Sequence, residues 1–335
     1  MNEFLRSILS GINVVIGNYG WSVVVFTLLI RLVLTPLDVK SRVSMRKMTK
    51  LQPQVAALQK KYAKDQQKLN LKTQELYKKE RVNPLSSCLP LLLSWPILIA
   101  MFTAMRMIAN EQMVKQAFDI VQGHTPMLES WLWVKNIWMP DSPFNATWPD
   151  LTRLQQVPAD IWLRVFESLP EATAANLTSL LNLTADSFSS ANLRATVQGI
   201  YDTMAAMPGY AEQIATIPGF TFNLLVTSVT VFRNFNGLFL LPILSAAGQY
   251  LMTVLQPAQP QQPATDKNGQ PQPNTGAFMK WFFPLFSLWI CAGYYASFAI
   301  YWMTSNVLMI AQNLIINWYL DRKEAKEALI EGEVK

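Results

Sequence analysis

One charged side chain and a scatter of neutral polar ones fall inside long apolar runs of this chain. Arg31 sits in the middle of GNYGWSVVVFTLLIRLVLTPL, which ends at Leu37. At a helical rise of about 1.5 Å per residue it lies roughly 15 Å below Trp21, near the centre of a hydrocarbon layer ~30 Å thick. A guanidinium there costs about 3 kcal/mol on insertion scales and keeps its proton. Two readings follow. Arg31 snorkels to a helix end or a lipid headgroup, or it lines a water-filled cavity faced by polar residues of other spans. Candidates for that lining are Thr27, Thr35, Ser94, Ser245, Gln249, Thr304, Ser305, Asn306 and Gln312. Taken singly, such residues also serve as plain helix–helix contacts in membranes. The chemistry open to this set is electrostatic: attracting acidic or polar groups and lowering their desolvation cost.

Covalent chemistry finds no support. The single histidine, His124, lies between apolar runs, which excludes Ser–His proteolysis within the bilayer and a His-based zinc site. There is no GxxxxGK[ST] loop and no GxGxxG. Acids are missing from the apolar runs, so a carboxylate proton relay has no members. The sequence names no catalytic residue, metal or cofactor. Cys88 and Cys291 fall in apolar segments and read as buried thiols rather than a disulfide.

The elements that position these residues follow from hydropathy. About half of the 335 residues are hydrophobic, with eleven Trp and fifteen Met. The expected architecture is an all-α polytopic membrane protein. Five transmembrane helices, at 19–37, 85–108, 237–255, 278–294 and 297–320, are expected to surround a hydrophilic groove. The last two divide one apolar stretch near Gly293 to Ser297, where small residues allow a tight turn. Residues 1–18 read as an external amphipathic segment, 109–236 as an acidic-leaning helical insertion on the outside, 256–277 as a disordered cytoplasmic linker and 321–335 as a cytoplasmic tail. Asn145, Asn176 and Asn182 match the N-glycosylation pattern within a Ser/Thr/Asn-rich region, a weak signal.

The formal charge of +6 is concentrated. Residues 38–84 carry 13 of the 28 basic side chains, from Lys40 to Arg81, against only Asp38, Asp65, Glu75 and Glu80. This pattern favours a membrane protein over a nucleic-acid site and puts the loop in the cytoplasm. With five spans, the N-terminus is then outside and the C-terminus inside. Met48, Leu51, Val55, Leu58 and Tyr62 recur at steps of three and four, and Leu69, Leu76 and Tyr77 mark a second helix. The loop reads as a helical hairpin, turning at Ala63 to Gln66. Neither a signal peptide nor a transit peptide is evident, which favours a bacterial plasma membrane.

Several segments together resemble the YidC–Oxa–Alb membrane protein insertases: the run around Arg31, LQPQVAALQKKY, KKERVNPLSSCLPLLLSWPI, LLPILSAAGQYLMTVLQP, MKWFFPLFSLW and IYWMTSNVLMIAQ. The resemblance implies five helices around a groove open to cytoplasm and lipid and closed to the outside. It places the groove arginine on Arg31 and the following proline on Pro36. Asn83 and Pro84 stand before the second span, then the Cys-x-Pro pair Cys88 and Pro90, and the Ser-Asn pair falls on Ser305 and Asn306. Pro96, Pro242 and Pro284 stand in the same segments. Ser94 replaces a frequent Gln, and Tyr295-Ala296-Ser297 a usual Pro-x-Gly. The implied activity is ATP-independent insertion and folding of transmembrane segments. Nascent membrane proteins and anionic lipids are the implied partners, a Sec-type translocon is a further candidate, and the short mixed-charge tail gives little support for ribosome docking. An assembly scaffold, or a transporter or channel subunit, remains the alternative.

Overall fold

The computed structural model describes residues 2–63, 65–80, 82, 89–224, 227–255 and 275–333. The expected linker at 256–277 therefore falls almost wholly outside the described residues, as do Asn83, Pro84 and Cys88. The side chains of Pro90 and Ser94 are likewise not described.

The first helix, α1 (Asn2–Ile16), is strongly amphipathic and turns a fully buried Leu9 inward. Gly17, at φ +72°, ends it in a conformation that favours glycine. The second, α2 (Tyr19–Lys61), is continuous for 43 residues, about 64 Å of helix. Hydropathy suggests a span ending at Leu37 and a separate hairpin helix centred on Met48 to Tyr62. The two are one helix, because VKSRVSMRKMTK between them contains neither Gly nor Pro to stop it. Pro36 and Pro53 both lie inside. The partner helix α3 (Gln66–Lys79) starts at Asp65, whose carboxylate accepts from Lys68 N at 3.0 Å. Leu51, Val55 and Leu69 are buried within this hairpin.

The next helix, α4 (Leu89–Val121), continues more than three turns past Ile108 and buries Met113, Val114, Ala117 and Phe118. The insertion that follows contains α5 (Leu151–Gln155), α6 (Ala159–Glu167), α7 (Glu171–Leu181), α8 (Leu193–Ala206) and α9 (Tyr210–Gln213). Its aromatic core joins Phe118, Trp162, Phe166 and Phe188, with Trp162 and Phe188 stacked at 6.1 Å. Asn182, one of the glycosylation-pattern residues, ends α7 in the left-handed region.

The insertion is not purely helical, which corrects the expectation. Strands β1 (Thr216–Leu224) and β2 (Thr227–Phe232) form an antiparallel hairpin pairing Phe222 with Val229. TSVTVF is rich in β-branched residues and suits a pleated surface, a signal outweighed by the helical patterns around it.

Three apolar helices close the chain: α10 (Leu240–Leu255), α11 (Thr275–Gly293) and α12 (Ala296–Glu333). The last continues beyond residue 320 because DRKEAKEAL consists of good helix formers. The fold is mostly helical, and α2, Trp95–Val121 of α4 and Ala296–Lys326 of α12 are long and apolar enough to cross a membrane.

The chain divides into two compact units. One holds Met1–Phe26, Ala100–Ser245 and Ser287–Met303; the other holds Thr27–Ile99, Ala246–Phe286 and Thr304–Lys335. Each of α2, α4, α10, α11 and α12 contributes one end to each unit.

Candidate functional site

In the second unit, one face of α2 meets one face of α12 through polar side chains. Residues 31, 35, 38, 42 and 46 of α2 recur at three- and four-residue steps, which stacks them along a single face. Arg31 is half-buried and donates through Nη2 to Oγ of Ser305, itself buried on α12. One turn on, Gln312 Nε2 donates to Thr35 Oγ1 at 2.7 Å, and Gln312 also bonds the Asp38 carboxylate. Asp38 feels both Arg31 and Arg42. Further along, Arg42 bonds Oδ1 of Asn313, and Arg46 bonds Asp321 Oδ1 at 2.7 Å and Asn317 O at 3.0 Å. Lys50 meets Glu324 at 2.9 Å. Partner numbers rise together on both helices, so α2 and α12 run parallel. From residue 31 to residue 50 the seam extends about 28 Å.

The polar residues singled out from the sequence distribute unevenly over this site. Arg31, Ser305 and Gln312 join the seam. Successive residues on a helix turn by about 100°, so Ser305 and Asn306 cannot both face α2. Asn306 instead packs on α10, where a Cβ at Gly248 would lie 3.1 Å from its own Cβ. That approach is what the missing side chain of Gly248 permits. Thr27 is 1% exposed, one turn before Arg31, and Thr304 is buried beside Ser305. Gln249 is half-buried on α10, its carbonyl accepting from Thr253 Oγ1 at 2.9 Å. Among the motif prolines, Pro242 and Pro284 are buried, while Pro36 and Pro96 are exposed. Asp38, Arg42, Arg46, Asn313 and Asn317 also belong to the seam, and hydropathy does not single them out, because the first three fall beyond the apolar run. Their signal is the i, i+4, i+7, i+11, i+15 spacing from Arg31, once the helix is allowed to continue past Leu37.

In the first unit, the helix ends converge on a short segment of the insertion. Glu129 Oε1 accepts from Tyr19 N at 2.9 Å, at the start of α2. Burial holds the Glu129 carboxyl above its ordinary range, and the Tyr19 N–H opposes that shift. The carbonyls of Met139 and Ile137 accept from Ala296 N and Ser297 N, at 3.0 and 2.8 Å, at the start of α12. The Asp141 carboxylate accepts from Leu241 N at 2.6 Å and Phe239 N at 3.2 Å, at the start of α10. A helix N-terminus carries unsatisfied N–H groups and partial positive charge, and each of these contacts answers both. Trp131 lies against Gly20, where a Cβ would stand 2.4 Å from its ring. The other two helices present their C-terminal ends here. Gln116, near the end of α4, accepts from Asn136 Nδ2 at 3.1 Å, and Arg153 reaches the Gly293 carbonyl of α11 at 3.4 Å.

Known proteins resemble this chain in long stretches. The chain is 44% identical over 106 residues to the membrane protein insertase YidC of Fusobacterium nucleatum, which is 32% of this chain and 52% of that protein. It is 38% identical over 141 residues to the YidC of Clostridium tetani, covering 42% of this chain and 56% of the relative. With the Legionella pneumophila YidC, 44% identity over 102 residues covers 30% of this chain and 18% of the relative. The chain thus spans about half the length, or less, of these relatives. The model for the 60Kd inner membrane protein matches residues 11–324, and so the chain belongs to that family, the family of the YidC, Oxa1 and Alb3 proteins.

Proposed function

We propose that this protein is an insertase of the bacterial plasma membrane, which places transmembrane segments of nascent membrane proteins into the bilayer and helps their polar flanks across. The observation that carries the proposal is the seam itself. A half-buried guanidinium, deep in an apolar helix, is held by a neutral hydroxyl of a second helix and continues into a line of amides and charges.

In this reading, Arg31 lines a hydrophilic groove and attracts the acidic or polar groups of an incoming tail. The groove shortens the low-dielectric path, and the client's apolar segment then leaves into lipid, stabilised by about 25 cal/mol per Å² of buried apolar area. For an acidic tail the membrane potential adds roughly 2.3 kcal/mol per charge per 100 mV. No nucleotide takes part. Five spans, with the N-terminus outside and the C-terminus inside, fit the alternation of helix starts and ends around Glu129, Ile137, Met139 and Asp141, and they fit the parallel course of α2 and α12. The basic hairpin of α2 and α3 faces the cytoplasm and holds to anionic lipid, at about 1 kcal/mol per charge near such a surface. A Sec-type translocon and the ribosome are further candidate partners.

The test is insertion by the full chain in nucleotide-free vesicles, read by protease protection of a single-span client with an acidic external tail. Arg31→Lys is expected to retain more activity than Arg31→Ala, and Arg31→Glu least. Equal activity of all three and the parent, across several clients, would remove the role of Arg31.

A further inference from the structure

We propose that Arg42 is a second docking station for the acidic groups of an inserting chain, which step from Arg42 to Arg31 along α2. This rests on the insertase reading and adds a residue to it. Arg31 and Arg42 are eleven residues apart, so they lie within about 20° of each other around the helix and ~16 Å apart along it. Both are half-buried, and both bond neutral acceptors of α12, Ser305 and Asn313. The next cations are treated differently. Arg46 lies 2.7 Å from Asp321 and 3.8 Å from Glu324, and Lys50 lies 2.9 Å from Glu324. Carboxylates of α12 thus neutralise the far end of the seam, while Ser305 and Asn313 hold the two deeper guanidiniums without adding negative charge.

Asp38 stands between those two guanidiniums and acts on both, with Gln312 bonding its carboxylate. Two arginines sharing this carboxylate leave the stretch from 31 to 42 net positive. A carboxylate of the client can replace a neutral hydroxyl or amide as the guanidinium's partner, because a charge-assisted bond is roughly twice as strong as a neutral one. The ~16 Å between stations is about the span of five extended residues. A tail carrying two acids at that separation engages both arginines at once. Asp38 is the competing internal anion, and its removal strengthens the preference for acidic tails.

The experiment uses the full chain in vesicles and single-span clients whose external tails carry no Asp, one Asp, or two Asp five residues apart. Arg42→Gln is expected to slow the two-Asp client about fivefold or more and to leave the uncharged client within about twofold. Arg42→Lys restores most of the loss, and Asp38→Asn raises the ratio of acidic to uncharged insertion. An equal loss for all three tails in Arg42→Gln would make Arg42 a structural residue and overturn the proposal. So would no loss for any tail while Arg31→Ala still discriminates by tail charge, an outcome that leaves the insertase reading intact. If Arg31→Ala too is silent for every client, the groove reading itself fails, and the two failures are distinguishable.

Discussion

Asn236 and Arg31 are both polar side chains on which distant parts of the chain converge, and they are handled in different ways. Asn236 is fully buried and uses both ends of its amide. It accepts from Asn136 N at 2.8 Å and donates to the carbonyls of Asn136 and Pro140 at 2.9 and 2.8 Å. Asn136 is equally buried and bonds Gln116, the Thr147 carbonyl and Trp138 N. Arg31, in the other unit, is half-buried and donates to the hydroxyl of Ser305. A buried neutral amide with every partner in place fixes one geometry, because any alternative strands a polar atom without water. A half-exposed charge on a neutral partner can exchange that partner for a better one at small cost. The first unit holds its helix ends around fully bonded buried amides, while the second carries a half-buried guanidinium bonded to a hydroxyl.

Substitutions in the two units test that contrast directly. Asn236→Ala should be the most damaging, because it strands Asn136 N and the Pro140 carbonyl and leaves the Asn136 carbonyl with Met139 N alone, and it is expected to destabilise by ~3 kcal/mol or more. Thermal unfolding in detergent reads this, and a loss under ~1 kcal/mol would deny the network its role. Asp141→Ala removes the cap of α10 and the partner of Trp133 Nε1. A loss of ~2 kcal/mol is expected, with Asp141→Asn keeping part of the stability. In the other unit, Thr35→Val deletes the acceptor for Gln312 and is expected to cost under ~1 kcal/mol. A cost matching that of Asn236→Ala would erase the distinction between the units.

A subtler difference is expected from pH. Burial raises the Glu129 carboxyl above its unfolded value, so the folded state binds its proton more readily than the unfolded chain does. Its contribution to stability is then fullest below the unfolded value, near ~4.3, and is lost as pH rises through the raised folded value. Glu129→Gln keeps an acceptor for Tyr19 N without the charge. Its unfolding temperature is expected to match or exceed the parent's at pH 7, and to vary less between pH 4 and pH 7. A steeper pH dependence in the variant would reverse the assignment.

Arg31 stands out in the sequence because a guanidinium in an apolar run has no neutral form to adopt. Its partner Ser305 is legible only as one of several polar residues on a later helix, since spacing within one segment says nothing about which segments meet. Arg42 is not legible, because the apolar run stops at Leu37 while the helix does not, and Asn313 lies inside the last apolar run, where nothing along the chain marks it as a partner of α2. Hydropathy reports where lipid stops, whereas backbone hydrogen bonding continues wherever the chain lacks a stop signal, and VKSRVSMRK has none. The hairpin at 216–232 is hidden for a related reason: neighbouring helical patterns outweigh six residues rich in β-branched side chains.

The apolar helices, the basic, amphipathic pattern of the α2–α3 hairpin and the place of Arg31 within an apolar run all follow from composition and periodicity along one segment, and the chain's order of residues suffices to read them. Packing in three dimensions set the rest. It put Glu129, Asp141 and the carbonyls of Ile137 and Met139 on the starts of three helices far from them along the chain. It also made α2 and α12 parallel, with Ser305 and Asn313 against Arg31 and Arg42. Those pairings join residues about 100 to 270 positions apart. Their geometry follows from how helices pack, and local sequence pattern does not encode it.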